Sequence, residues 1–174
     1  VVKEIKIYNK KIITGVMGTH PSALPKETLE LENALDIIIR GEVDETVVEL
    51  SNINLAEYHN SVPNKIKILK NILGISFQVN GKAFHNNARP QIEVLDDLPF
   101  VSQVYKKYLN IRKYFFAACD YPMVMIMSER GCTDRCTFCV YPYTIHGLKY
   151  RMRSAKNIVK EFEWIENNMP EVKE

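Results

Sequence analysis

The sequence predicts an α/β protein in which strands alternate with helices in a parallel layer, and three observations carry that expectation. Ile37-Ile38-Ile39 is a continuous β-branched run, the mark of a strand covered on both faces. Strand-like and helix-like stretches alternate from Ile12 to Leu50 at the spacing of a parallel layer. Ile75, Phe77 and Val79 alternate ahead of Asn80-Gly81 and a second short run to His85, which is the pattern of a β-hairpin.

Taken in order, residues 1–9 mix apolar and basic side chains and read as the end of a helix. Ile12–Met17 reads as a buried strand, and Gly18-Thr19-His20-Pro21 as a turn. Pro25 suits the first turn of a helix that Lys26–Glu32 continues with good helix formers. Asp44 is placed to cap a helix carrying Val47, Val48 and Leu50. Residues 52–72 are polar, contain Pro63 and show no clean period. Pro90, Asp96, Asp97 and Pro99 mark a linker. Beyond it, Val101, Val104, Tyr105, Tyr108 and Leu109 form a helical stripe within Val101–Tyr114, and Met123–Met127 reads as a strand. Ser154 opens a helix with Ile158, Phe162, Ile165 and Met169 on one face, leaving Trp164 off that stripe.

The chain has 174 residues, a formal net charge of +2 and 46% hydrophobic residues, values of an ordinary globular protein. That balance makes no general case for nucleic acid or for an acidic membrane. Lys149, Arg151, Arg153, Lys156 and Lys160 form a basic run that reads as a solvated face. No transmembrane span or secretory signal is evident. The chain opens at Val1 and stops at Val172-Lys173-Glu174, which reads as the start of a strand, so an internal piece of a longer protein is expected.

The most informative residues are Cys132, Cys136 and Cys139, three thiols within eight residues. Thiolates this close point to a shared metal, and the clustering fits a reducing, cytoplasmic setting better than two disulfides. Three ligands are one short of a closed zinc site or an ordinary Fe–S cluster, so one coordination position stays open for substrate. The loop that carries them follows the Met123–Met127 strand and precedes the Ser154 helix, the place where chemistry sits in a (β/α) barrel. A closed zinc site with His146 as fourth ligand is the plainer alternative, although its spacing matches no common finger. Cys119 lies outside the cluster and reads as a buried free thiol.

The Cys-x3-Cys-x2-Cys spacing, with Phe138 just before the last Cys, resembles the signature of radical S-adenosylmethionine enzymes. The resemblance implies that Cys132, Cys136 and Cys139 hold three irons of a 4Fe-4S cluster, with the fourth iron binding S-adenosylmethionine. It places the backbone of Phe138 near the adenine. Upstream, Gly18-Thr19-His20-Pro21, Leu24-Pro25, Arg40-Gly41-Glu42 and Glu45-Thr46 resemble the later strands of the cobalamin-binding domain joined to many such enzymes. Met17-Gly18 stands where those relatives usually show Gly-Gly. By this resemblance Gly18, Thr19 and His20 become candidate contacts to cobalamin, His20 being equally explicable as a turn histidine with a local hydrogen bond.

The implied architecture is a partial Rossmann-like parallel sheet of the cobalamin-binding type over 1–60, a hairpin linker over 61–100, and the start of a radical S-adenosylmethionine partial (β/α) barrel over 101–174. The implied activity is reductive cleavage of S-adenosylmethionine to a 5′-deoxyadenosyl radical for C–H activation. Cobalamin-assisted methylation, or C–C bond formation and cyclisation, would follow on a lipid, tetrapyrrole or other small molecule. Flavodoxin or ferredoxin is the implied electron donor, and this segment alone is expected to be inactive. Two rivals stand beside it. One is a methylthiotransferase acting on tRNA or a ribosomal protein, which would carry extra cysteines upstream, where residues 1–118 have none. The other is a non-catalytic zinc and RNA-binding module, whose binding would weaken steeply with salt.

Overall fold

A computed structural model describes all 174 residues. The chain forms two compact units, Val1–Gln91 with Gly131–Lys149, and Ile92–Arg130 with Tyr150–Glu174.

The first unit is built on a four-stranded sheet in the order β1 (Gly15–Met17), β2 (Ile37–Ile39), β3 (Ile75–Val79) and β4 (Lys82–His85). The α/β class holds, but only β1 and β2 run parallel; β2/β3 and β3/β4 are antiparallel. The hairpin is therefore part of this sheet. Asn80 and Gly81 both take positive φ, 51° and 74°, as a two-residue hairpin turn of this kind requires.

The Ile37–Ile39 run is buried on both faces, as its composition predicts. Ile37 and Ile39 join Tyr58, Leu69, Ile72, Ile75, Phe77 and Val79 in the main core, while Ile38 joins Leu29 and Leu35 on the other face. The helices follow from local signals. After α1 (Val2–Tyr8) and α2 (Thr19–Ala23), α3 (Pro25–Leu31) starts on Pro25 and buries Leu29. Asp44 lies inside the first turn of α4 (Asp44–Ser51), and Val43 holds the cap position. The acidic first turn still favours the helix through the macrodipole. The aperiodic stretch 52–72 resolves into α5 (Leu55–Asn60) and α6 (Val62–Lys70), capped by Asn54 and Ser61. Each helix is too short for a period to show.

The first strand is shorter than Ile12–Met17 suggests. Thr14 leaves the ladder to bond Asp36, with N 2.9 Å and Oγ1 3.0 Å from the Asp36 carboxylate, and Ile12 is exposed.

In the second unit, α7 (Val101–Tyr108) stops six residues before Tyr114, and a short 3-10 turn, Ile111–Lys113, follows. Met123–Met127 forms no strand. Its backbone partners lie only at its start, where Lys173 N donates to Pro122 O and Val124 N to Glu174 O. A ladder needs a neighbour along its whole length. The strand appears only at β5 (Glu129–Arg130), paired antiparallel with β6 (Arg151–Met152). Ser154 caps α8 (Ala155–Asn168) by accepting from Asn157 N at 3.1 Å. The core of this unit is Ile111, Val124 and Met169, with Tyr105, Ile126, Trp164 and Ile165 packed on it. Trp164 thus belongs to the core, whereas Phe162 is exposed. No helix is long and apolar enough to cross a membrane.

Candidate metal and cofactor site

The cysteine segment leaves β5 through Gly131, whose φ is 87°. A Cβ there would meet the Lys149 carbonyl oxygen and would lie 3.2 Å from His146 O, so only glycine allows the returning chain to pass this close. Cys132 N donates to Gly147 O at 3.2 Å, closing the loop at its base. Cys139 N donates to Cys136 O at 3.1 Å, which puts these two residues in one turn.

Cys132 and Cys136 are exposed and Cys139 is half-buried. The three thiols do not converge on a common point: no group of three Cys, His, Asp or Glu side chains is placed to hold a metal ion. The donor set nevertheless fits an iron–sulfur group. All three are free thiols on one loop, open to a cluster that would draw them together, and thiolate sulfur is the ligand such clusters take. Phe138, at 87% exposure, packs against little.

After Cys139 the chain enters a wide turn, Pro142–His146, that packs against α2. Gly18, Thr19 and His20 lie at the start of that helix, Gly18 in its cap position with φ 125°, Thr19 half-buried and His20 exposed. The two groups of predicted site residues therefore belong to neighbouring segments at the C-terminal ends of β1 and β2, although His20 and the three thiols form no common cluster. His146, the fourth donor of the zinc alternative, faces Glu42, with Nδ1 3.3 Å from Oε1 of a carboxylate that is nearly buried.

Beside this turn lies a cavity of about 240 Å³. It is lined by Ser22, Arg40, Glu42, Arg89, Gln91 and Tyr143, among others. Arg89 was not among the predicted site residues. Its guanidinium bonds Thr46 Oγ1 at 2.7 Å and lies 3.1 Å from Glu45 and 2.6 Å from Glu49, so it ties α4 to this wall. Nothing in its local sequence sets it apart from other surface arginines. Burial holds the Arg40 guanidinium below its ordinary pKa, and its Nη2 donates to Ile75 O at 3.1 Å.

Cys119 is half-buried, not fully buried. Desolvation first, then its hydrogen bond to Glu174, push its thiol pKa up, away from the thiolate that a metal needs. Arg151 and Arg153 correct the reading of the basic run, since they are 4% and 9% exposed.

No protein-family model matches the chain. It is 29% identical over 161 residues to an uncharacterised methyltransferase of Pyrococcus horikoshii, covering 92% of this chain and 32% of the relative. It is 28% identical over 160 residues to the anaerobic magnesium-protoporphyrin IX monomethyl ester cyclase of a Synechocystis strain, covering 92% of this chain and 28% of the relative. The chain thus spans about a third of the length of the curated relatives it matches. Among solved structures it superposes on the radical S-adenosylmethionine methyltransferase TsrM from Kitasatospora setae, solved with cobalamin and a [4Fe-4S] cluster. The TM-score is 0.57 at 18% identity, over 94% of this chain and 30% of that one. It also superposes on the cobalamin-dependent S-adenosylmethionine radical enzyme OxsB, with TM-score 0.58 at 20% identity, over 93% of this chain and 20% of that one.

The chain has the fold of the cobalamin-dependent radical S-adenosylmethionine enzymes. As a segment of that fold, it holds a mixed α/β sheet, a hairpin and a cysteine loop in continuous sequence. Ser22, Arg40, Glu42, Arg89 and Gln91 line this cavity although reading the sequence did not single them out as candidates, and of these Arg40 and Glu42 fell within a motif quoted for the resemblance.

Proposed function

We propose that this chain is the junction segment of a radical S-adenosylmethionine enzyme, and that Cys132, Cys136 and Cys139 would hold three irons of its 4Fe-4S cluster. The observation that carries the reading is the Cys-x3-Cys-x2-Cys loop, closed at its base by Gly131 and the Cys132–Gly147 hydrogen bond. When bound, such a cluster would supply the one-electron reduction that cleaves S-adenosylmethionine for C–H activation.

The chain's own residues do the positioning. Gly131 lets the loop turn back tightly, and the Cys136–Cys139 turn presents two thiols from adjacent backbone. The exposed Phe138 is free to cover the nucleoside once it arrives. Pro142–His146, held on Glu42 through His146, fixes the far end of the loop. Gly18, Thr19 and His20 at the start of α2 are the candidate contacts to cobalamin.

Methyl transfer or ring closure on a small molecule is the reaction class favoured by relatives named as methyltransferase and cyclase. The domain division is 1–60 cobalamin-binding-like, 61–100 linker and 101–174 radical domain, with flavodoxin or ferredoxin as electron donor. The test is anaerobic reconstitution with iron and sulfide of the protein that carries this segment, followed by EPR with and without S-adenosylmethionine. A reduced-cluster signal that changes on adding S-adenosylmethionine supports the reading. A signal that does not change, or zinc retained with no iron uptake, overturns it.

A further inference from the structure

A second cavity, of about 350 Å³, opens at the other end of the sheet, where Ile13 precedes β1 and Asp36 precedes β2. It is remote from the C-terminal strand ends that carry Gly18, Gly41 and the cysteine segment, because β1 and β2 are parallel. Its charged lining is Lys6, Lys10 and Lys65 against the single carboxylate of Asp36.

That carboxylate is already fully engaged. It accepts from Lys6, from Lys65 at 3.3 Å, and from Thr14 N and Oγ1 at 2.9 and 3.0 Å. An ammonium has three protons, so Lys6 and Lys65 keep donors to spare, and Lys10 makes no hydrogen bond or ion pair at all. The second observation is Tyr58. Its ring lies under the Lys65 ammonium at 5.0 Å, and it is 3% exposed, yet its hydroxyl has no hydrogen-bond partner. Such an orphaned hydroxyl costs about 1–3 kcal/mol unless something fills its valence. Burial, then the neighbouring Asp36 charge, push its pKa up, so it stays a proton donor. The cavity therefore offers donors and positive charge without a matching anion.

We propose that this cavity binds a small phosphate-bearing anion, held by Lys10, by the remaining ammonium protons of Lys6 and Lys65, and by the Tyr58 hydroxyl. The site is independent of the radical chemistry proposed for the cysteine loop. His59, edge-on to Tyr58 at 4.9 Å, and Ser61 line its rim. The volume takes either free phosphate or a nucleoside monophosphate.

The test is titration calorimetry of the full-length protein that carries this segment, with inorganic phosphate and, separately, with AMP. Native protein, Lys10→Gln and Tyr58→Phe are compared, each with a thermal melt. Saturable binding is expected, weakened roughly fivefold by Lys10→Gln and by Tyr58→Phe. Neither variant should melt earlier, since Lys10 has no partner to lose and the Tyr58 hydroxyl has none either. AMP binding more tightly than phosphate identifies a nucleotide as the source, and equal affinity identifies free phosphate; both support the site. Absence of binding by either probe up to millimolar concentration overturns it, as does binding that neither variant weakens.

Discussion

Glu161 Oε2 lies 2.6 Å from Arg153 Nη1, and both side chains are withdrawn from water, at 0% and 9% exposure. The other carboxylate oxygen, Oε1, accepts from Ser102 N at 3.1 Å and from Ser102 Oγ at 2.9 Å. Arg153 also donates through Nε to Asn157 Oδ1 at 2.7 Å and through Nη1 to Met127 O at 3.1 Å, its buried Nη2 has no partner, and its guanidinium lies over the Phe100 ring at 5.5 Å. One buried pair therefore fastens α7, α8 and the segment before β5.

Replacing Glu161 by Ala leaves Arg153 charged and without its anion in the interior, and should destabilise the second unit by about 3 kcal/mol. Urea denaturation followed by circular dichroism measures it. Arg153→Lys should also destabilise, because a lysine cannot reach Asn157, Met127 and Glu161 together. A loss under 1 kcal/mol for Glu161→Ala, a bound set by what exposed pairs contribute, would show the pair to be dispensable.

Changing Cys132, Cys136 or Cys139 to Ala, one at a time, should abolish bound iron and the cluster EPR signal. Cys119→Ser should leave both unchanged, since that thiol is held protonated beside Glu174 and lies outside the loop. Iron and sulfide analysis after anaerobic reconstitution decides between the four positions.

Gly131→Ala places a methyl group on the Lys149 carbonyl at a φ of 87°, a conformation that L-residues rarely adopt. The loop must open to relieve the clash, pulling Cys132 off Gly147. Iron uptake should drop severalfold while far-UV circular dichroism stays native. Full iron content in this variant would show that loop closure does not position the thiols.

Asp36 gives the first unit an acid-sensitive element. Burial acts to raise its carboxyl pKa, but Lys6, Thr14 N and Lys65 together outweigh it and hold it below the ordinary 3.8. With a lowered folded-state pKa, its contribution to stability is present above the unfolded value, and is lost as pH falls through the folded one. Stability should therefore fall below about pH 4, and the decline should be shallower in Asp36→Asn. Equal slopes for the two proteins in a pH series of melts would remove Asp36 from that role.

Local chemistry made part of this protein legible in advance. The Ile37–Ile39 run announced a strand covered on both faces, Asn80-Gly81 announced the hairpin, and Ser154 announced the start of α8. The three thiols set their loop apart as the candidate site through spacing alone. These signals work because each depends on residues adjacent in sequence: periodicity, turn preference and ligand spacing need no distant partner.

What tertiary structure alone decided is which polar groups leave water and which segments pair. Arg151 and Arg153 sit in a run that reads as a solvated face, yet both are buried, because Ile92 O receives Arg151, and Glu161 and Met127 receive Arg153. Ser102 and Glu161 are 59 residues apart, and no local pattern links them. β3 runs antiparallel to β2, and its Ile75 and Phe77 complete the core that Ile37 and Ile39 begin, a pairing that composition leaves open. Sequence specifies what each residue prefers nearby. The burial of a charge, and the direction of a strand, are settled by the free energy of partners that only folding brings within reach.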